Sequence, residues 1–412
     1  MQLKTGIQRG VTLAVTALLG VQAGQNVLAE EKQWDFDSVL FTYMEGDSRV
    51  SDVSLRLEAV RSGETEEQLT LGLSVDALSG ASPSGAIPTH TPQTVTTPSG
   101  NTNVYAAELP LNSFTDRRIA GQAAYLFPLG DQNRLSTGFT LSQEDDYRHA
   151  GVNASFSQDF FDRNTTISAG FGLSADSIDP VDGIPLALSN SDLGSTTTSA
   201  ENKNVTDLLF GVTQILSPRS LVQLNYGYSS ATGYLNDPYK IISQVNSNGV
   251  VQSNLYENRP DSRAGHNLYG AIKFDNQGDV TTFSYRYHSD DWGISSSTFD
   301  LRHRLSLGEN GHYIEPHLRF YNQSAADFYR LQLPDSEAVP THISADYRLA
   351  KFSAITLGFR YGIKGPWGND WRINLEYYQQ NPSDNTSDYV DQAGLDLNPG
   401  VSALIFSIGA RF

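Results

Sequence analysis

The side chains able to do chemistry here are histidines, carboxylates and arginines, because the 412-residue chain contains no cysteine. Thiolate nucleophiles, thiolate metal sites and disulfides are thereby excluded. His149 follows the acidic run Glu144-Asp145-Asp146, and His288 precedes Asp290-Asp291. Nearness in sequence does not make a catalytic triad, which is defined by geometry. No Gly-x-Ser-x-Gly elbow or glycine-rich phosphate loop accompanies these histidines. The eight histidines form no metal-ligand cluster, and the acidic loops lack EF-hand spacing. The sequence therefore predicts no enzyme, no cofactor and no dedicated metal site.

Arginines and carboxylates recur instead in alternating segments. Phe299, Leu301 and Leu305 alternate with Asp300, Arg302 and Arg304; Ile314, Leu318 and Phe320 alternate with Glu315, His317 and Arg319. Leu357 and Phe359 oppose Arg360, Ile373 and Leu375 oppose Arg372 and Glu376, and Leu55 and Leu57 oppose Arg56 and Glu58. In a strand, successive side chains point to opposite faces, so each segment has one apolar and one charged face. If the apolar face meets lipid, a charge placed there at mid-depth would cost about 2–4 kcal/mol, and the charges must face a lumen. The expected lumen residues are Arg56, Glu58, Arg286, Asp300, Arg302, Arg304, Glu315, His317, Arg319, Asp346, Arg348, Arg360, Arg372 and Glu376. His303 falls on the apolar face by this count, at an interface or at a register slip.

Stepping along the chain, strands are expected near 34–44, 50–61, 67–77, 117–128, 134–143, 148–160, 165–175, 204–216, 220–229, 263–274, 279–288, 297–307, 312–321, 341–363, 370–379 and 400–412. Connections alternate: short turns such as Gly130-Asp131, Asp162-Arg163 and Gly365 to Gly368 separate long loops near 78–116, 176–203, 230–262, 322–340 and 380–399. The fold class predicted is all-β, a transmembrane antiparallel barrel of about sixteen strands, fourteen to eighteen being compatible, with short periplasmic turns and long extracellular loops. The final strand alternates Leu404, Phe406, Ile408, Ala410 and Phe412 with small or polar residues. It resembles the C-terminal signal of Gram-negative outer-membrane barrels, which implies the barrel assembly machinery as a partner.

Lys4 and Arg9, the apolar run Val11 to Ala23 and Val27-Leu28-Ala29 have the order of a secretory signal peptide. Residues 1–29 are read as that signal and 30–412 as the barrel, exported to the outer membrane of a Gram-negative bacterium. Losing Lys4 and Arg9 moves the formal charge from −18 to −20, which argues against nucleic-acid binding. Twenty Tyr, nineteen Phe and thirty-five Gly suit a barrel with aromatic girdles in contact with outer-membrane lipid.

Several loop motifs occur together: Asp76-Ala77-Leu78-Ser79-Gly80-Ala81-Ser82-Pro83-Ser84-Gly85, Gly233-Tyr234-Leu235-Asn236-Asp237-Pro238-Tyr239-Lys240, Glu257-Asn258-Arg259-Pro260, Asp290-Asp291-Trp292-Gly293 and Ala325-Ala326-Asp327-Phe328-Tyr329. With these the chain resembles domain-of-unknown-function family 3570, exported bacterial proteins regarded as outer-membrane barrels. The resemblance implies partners in a periplasmic thioredoxin-like or flavin-transferase system, and no defined activity. Asp76, Gly80, Pro83, Gly85, Asp237, Pro238, Asp290, Asp291, Trp292 and Asp327 are expected in extracellular loops, where they lock to one another across the mouth or form a recognition site. Two functions follow: a porin-like channel with a mixed Arg/carboxylate lumen, or a closed barrel scaffold holding an envelope partner.

Overall fold

The structure, a computed structural model, describes residues 34–412 except 48, 97–101, 182, 194–195, 198, 309 and 366–367. The expected signal peptide and Pro366-Trp367, at the centre of one turn, lie outside the described residues. Sixteen antiparallel strands close into one barrel. They are β1 Trp34–Glu45, β2 Val50–Ser62, β3 Gln68–Pro83, β4 Leu111–Pro128, β5 Asn133–Gln143, β6 Tyr147–Phe160, β7 Thr165–Ile178 and β8 Glu201–Ser217. The second half comprises β9 Ser220–Gly233, β10 Ser262–Asn276, β11 Asp279–Asp290, β12 Ser295–Leu307, β13 His312–Gln323, β14 Phe352–Lys364, β15 Asp370–Pro382 and β16 Val401–Arg411.

Each strand pairs with its sequence neighbours, and β1 pairs with β16 from Asp37↔Arg411 to Glu45↔Ala403. Phe412 extends that seam, its backbone exchanging bonds of 2.9 and 3.1 Å with Phe36. Closure satisfies every edge, which an open sheet in lipid could not do. The apolar member of each alternation lies on the outer surface: Leu55, Leu73, Phe139, Phe171, Phe210, Leu224, Phe283, Leu301, Leu318, Leu357 and Leu375 are all exposed. So continuous an apolar belt suits the hydrocarbon of a bilayer. His303 keeps its place on this outer face without a register slip, its Nδ1 2.9 Å from Thr281 Oγ1. The ladder skips two pairs there, between Arg302↔His317 and Leu305↔Ile314 and with no change of register, where Pro316 has no N–H to donate.

The two ends differ. The lower end carries both described termini and the turns 63–67, 129–132, 161–164, 218–219, 277–278, 308–311 and 365–369. The upper end carries the long connections 84–110, 179–200, 234–261, 324–351 and 383–400. One sequence expectation fails here: 341–363 is not a single strand. Only Phe352–Lys364 joins the barrel, and the segment before it belongs to the fourth long connection. Its alternation is real, but Ile343, Ala345 and Leu349 are buried among loops rather than facing lipid.

Those loops fold together as a cap. Within 234–261 a hairpin pairs 241–245 with 251–256, and Gln244↔Leu333 adds a short parallel strand from 324–351. Ile242, Leu333 and Ile343, each 0% exposed, form its core with Leu255 and Ala345. A second cluster joins cap to barrel: Val205 of β8 and Ala231 of β9 pack on Leu235, Trp292, Ile294, Ala326 and Leu349. Gly85 permits one close crossing, because a Cβ there would stand 2.1 Å from the carbonyl oxygen of Ile241. Its φ of +98° is also one that side chains disfavour.

Candidate functional site

Two charged regions stand out, one in the cap and one on the inner wall below it. The first is built from two acid-x-Arg triplets, Glu257-Asn258-Arg259 and Asp346-Tyr347-Arg348, carried by different long connections. Arg348 Nη2 reaches Asp237 Oδ2 at 2.5 Å, and its Nε donates to both oxygens of Asp346 at 2.8 and 2.7 Å. Arg259 Nη2 donates to Asp346 Oδ2 at 2.8 Å and to Glu257 Oε2 at 3.0 Å. Ser344 Oγ donates to Glu257, and the Asp237 N–H donates to the same carboxylate, both at 2.5 Å. Lys240 donates to the Pro83 carbonyl and lies 5.6 Å from the Tyr347 ring centroid. Three acids and three bases thus meet out of water, the side chains of Asp237 and Asp346 being 2% and 0% exposed.

The charges shape one another. Burial pushes Asp346 up, but Arg348, Arg259 and Lys240 outweigh it and hold the carboxyl below its usual range. Glu257 goes the other way: burial, reinforced by Asp237 and Asp346, outweighs Arg259 and raises it. An ion cluster this dry gains little net stability, but losing one member leaves a buried charge unanswered. It therefore fixes how the cap's loops meet.

On the inner wall, Arg56, Glu58, Arg286, Asp300, Arg302, Arg304, Glu315, His317, Arg319, Arg360, Arg372 and Glu376 occupy the positions that alternate with the outer apolar residues. Asp346 and Arg348, expected beside them, lie in the cap instead. Asp300 is the hub: its Oδ2 accepts from His317 Nε2 at 2.8 Å and Arg319 Nε at 3.1 Å, and its Oδ1 from Arg302 Nε at 3.2 Å. His317 Nδ1 continues to Glu376 Oε1 at 3.1 Å across Gly358, where a Cβ would crowd both side chains. Glu315 pairs with Arg360 at 3.0 Å and Arg372 with Asp37 at 2.6 Å. The opposite wall, β5 to β8, presents small residues such as Ser136, Gly138, Asn153, Ser155 and Gly170, between the Arg134–Asp159 pair at 2.7 Å lower down and Asp207 on β8 higher up. Arg56 and Arg319 side chains are 50% exposed, so the chamber below the cap is solvated.

The expected loop residues divide. Asp76, Gly80 and Pro83 lie within β3, which runs on to Pro83, and Asp76 pairs with Arg118 of β4 at 2.5 Å. Gly85, Asp237, Pro238, Asp291, Trp292 and Asp327 are in connections, and Asp290 ends β11. Asp290 binds Arg263, accepts from the backbone N–H of Trp292 and Ile294 at 3.1 and 3.0 Å, and lies 3.2 Å from His288 Nε2. Asp327 N–H donates to the Trp292 carbonyl at 2.9 Å. Glu257, Arg259 and Lys240 lie in loop motifs noted in the sequence but were given no role of their own, and Ser344 was not noted. The repeated acid-x-Arg spacing in two polar loops was the available signal.

His149 sits at the top of the inner wall, with Nδ1 2.7 Å from Asp176 and Nε2 3.0 Å from Thr140 Oγ1. Asp176 is also bound by Lys203 at 2.9 Å and Tyr147 at 2.5 Å. That chain has the order of a hydroxyl–imidazole–carboxylate relay, with the carboxylate already neutralised by a lysine. Asp116, Glu144 and Asp146 bring three carboxylates within 4.8 Å of one another, though Asp146 also accepts from the Tyr239 hydroxyl at 2.8 Å.

Among solved structures, the chain is similar to a bacterial polysaccharide outer-membrane secretin, with 9% identity over 93% of this chain and 99% of that one, and a TM-score of 0.46. CymD, a monoaromatic hydrocarbon channel, is 11% identical over 95% and 94%, with a TM-score of 0.39. CdiB from Acinetobacter baumannii is 7% identical with a TM-score of 0.46, and this chain spans 60% of its length. No curated protein matches the sequence. The fold assignment rests on the closed sixteen-strand ladder itself. By a match over residues 8–412, the chain belongs to the DUF3570 family, proteins of unknown function.

Proposed function

We propose that this protein is a capped barrel of the Gram-negative outer membrane, its outer mouth held shut by folded loops and its charged chamber opening to the periplasm. The observation that carries this reading is the buried cap cluster of Asp237, Glu257, Asp346, Lys240, Arg259 and Arg348, which ties two long connections together above the lumen. Loops that only fringed an open pore would leave such charges in water. The closed-scaffold function is therefore favoured in the resting state. The porin-like channel keeps support from the solvated Arg/carboxylate wall, and would require the cap to move. Residues 1–29 would direct export, and the Phe412-terminated strand would engage the assembly machinery. A periplasmic thioredoxin-like or flavin-transferase partner would approach from the lower end. Catalysis has no part in this reading.

The cysteine-free chain makes the test direct. A single cysteine replaces Ser155 on the inner face of β6, or Val390 on the cap surface, in separate variants, and intact cells are treated with a membrane-impermeant maleimide. Val390→Cys should label at once, and Ser155→Cys only after the outer membrane is permeabilised. Equal labelling of both in intact cells would overturn the capped barrel.

A further inference from the structure

The inner wall of β11, β12 and β13 has more guanidinium than carboxylate. Arg286, Arg302 and Arg319 converge around Asp300: Asp300 faces Ser284 on one side and Arg319 on the other, Arg302 lies one inward step below, and Arg286 one step above. Asp300 engages Arg302 and Arg319 through their Nε atoms, at 3.2 and 3.1 Å. Among the described residues their terminal nitrogens have no other partner. Arg286 has no carboxylate partner among the described residues, and its guanidinium lies 5.5 Å from the centroid of the Tyr269 ring. His317 is shared between Asp300 and Glu376. Three arginines against Asp300 and Glu376 leave a surplus of one positive charge before His317 is counted, on a wall solvated enough that the Arg319 side chain is 50% exposed.

We propose that this wall is a binding site for a small doubly charged oxyanion of the phosphate class, entering from the periplasmic side. Planar guanidinium forks match the paired oxygens of such an ion, and the Tyr269 ring holds the Arg286 fork in place beforehand as Asp300 holds those of Arg302 and Arg319. The site deepens the capped-barrel reading and rests on it only for the side of entry.

The test titrates inorganic phosphate into the refolded full chain in detergent at low ionic strength, followed by calorimetry and by broadening of the phosphorus resonance. Saturable binding that weakens as sodium chloride rises is expected. Arg286→Gln removes no ion pair, so its barrel should migrate as folded in an unheated gel, and it should bind about tenfold or more weakly. Arg319→Gln should do the same. Arg372→Gln, which removes an arginine already paired with Asp37, should bind as the native chain does. Non-saturable binding, or the same loss in all three variants, would overturn the site. A freely conducting chain that still binds phosphate here would defeat the cap and leave the site standing; a silent chain that binds none would do the reverse.

Discussion

Replacing Arg348 with leucine should unlatch the cap without disturbing the barrel. The guanidinium holds Asp237 at 2.5 Å and both oxygens of Asp346, and neither carboxylate can reach water where it stands. Removing one partner of a buried ion pair costs about 3–5 kcal/mol, because the remaining charge keeps its desolvation penalty. Arg259 still reaches Asp346 at 2.8 Å, so the lower part of that range applies. At 1.4 kcal/mol per tenfold, the cap should open on the order of a hundredfold more often. Hydrogen exchange resolves this: amides of 234–261 and 324–351 should lose about two decades of protection, while mid-strand amides of β4 to β7 keep theirs. Adding Asp237→Asn and Asp346→Asn to Arg348→Leu removes the stranded charges and should restore much of the protection. Unchanged exchange in the cap, or an equal loss throughout the strands, would refute the assignment of this cluster as the latch.

Cap stability should also depend on pH through Glu257. Its folded pKa is raised, so the stabilisation linked to its protonation is fully present below the unfolded value and is lost as pH rises through the folded one. Asp346 is lowered, so its contribution is present above its unfolded value and is lost only as pH falls through the folded one. Glu257→Gln should therefore flatten the alkaline side of a cap-exchange profile and leave the acid side, whereas a profile identical to the native would count against it. Leu301→Arg, on the lipid face, should destabilise refolding in urea and liposomes by about 2–4 kcal/mol. Ser155→Arg, on the inner face, should cost well under half as much, and equal costs would reverse the facing. Phe412→Ala keeps the backbone bonds to Phe36 at 2.9 and 3.1 Å, so it should lower the yield of assembled barrel in cells and spare the urea stability of what assembles. Normal yield would remove the terminal aromatic from the assembly signal.

The barrel was legible because lipid outside and water inside impose a period of two wherever both are present. Leu318 and Phe320 against Arg319, or Leu55 and Leu57 against Arg56, carry the face assignment unaided. The signal fades where the strands leave the bilayer. β3 continues past Asp76 to Pro83, and β8 begins at Glu201, in stretches where neither face needs to be apolar. The cap was the harder part. Ile343, Ala345 and Leu349 alternate like a membrane strand, yet they bury against Ile242, Leu333 and Trp292, and periodicity does not say which apolar surroundings a residue enters. For the same reason Asp346 and Arg348 read as lumen residues. Asp237 and Asp290, expected in extracellular loops, are buried and paired with Arg348 and Arg263, 111 and 27 residues away. Such pairings depend on how separate loops meet, which local pattern does not encode.

Planar-bilayer conductance of the refolded chain tests the capped barrel most directly, with native protein compared against Arg348→Leu, and against Arg348→Leu combined with Arg302→Ser, Arg304→Ser and Arg319→Ser. The account predicts silence from the native barrel, openings with anion preference once the latch is cut, and loss of that preference when the three lumen arginines are removed. Steady ohmic openings from the native protein, unchanged by Arg348→Leu, would contradict it.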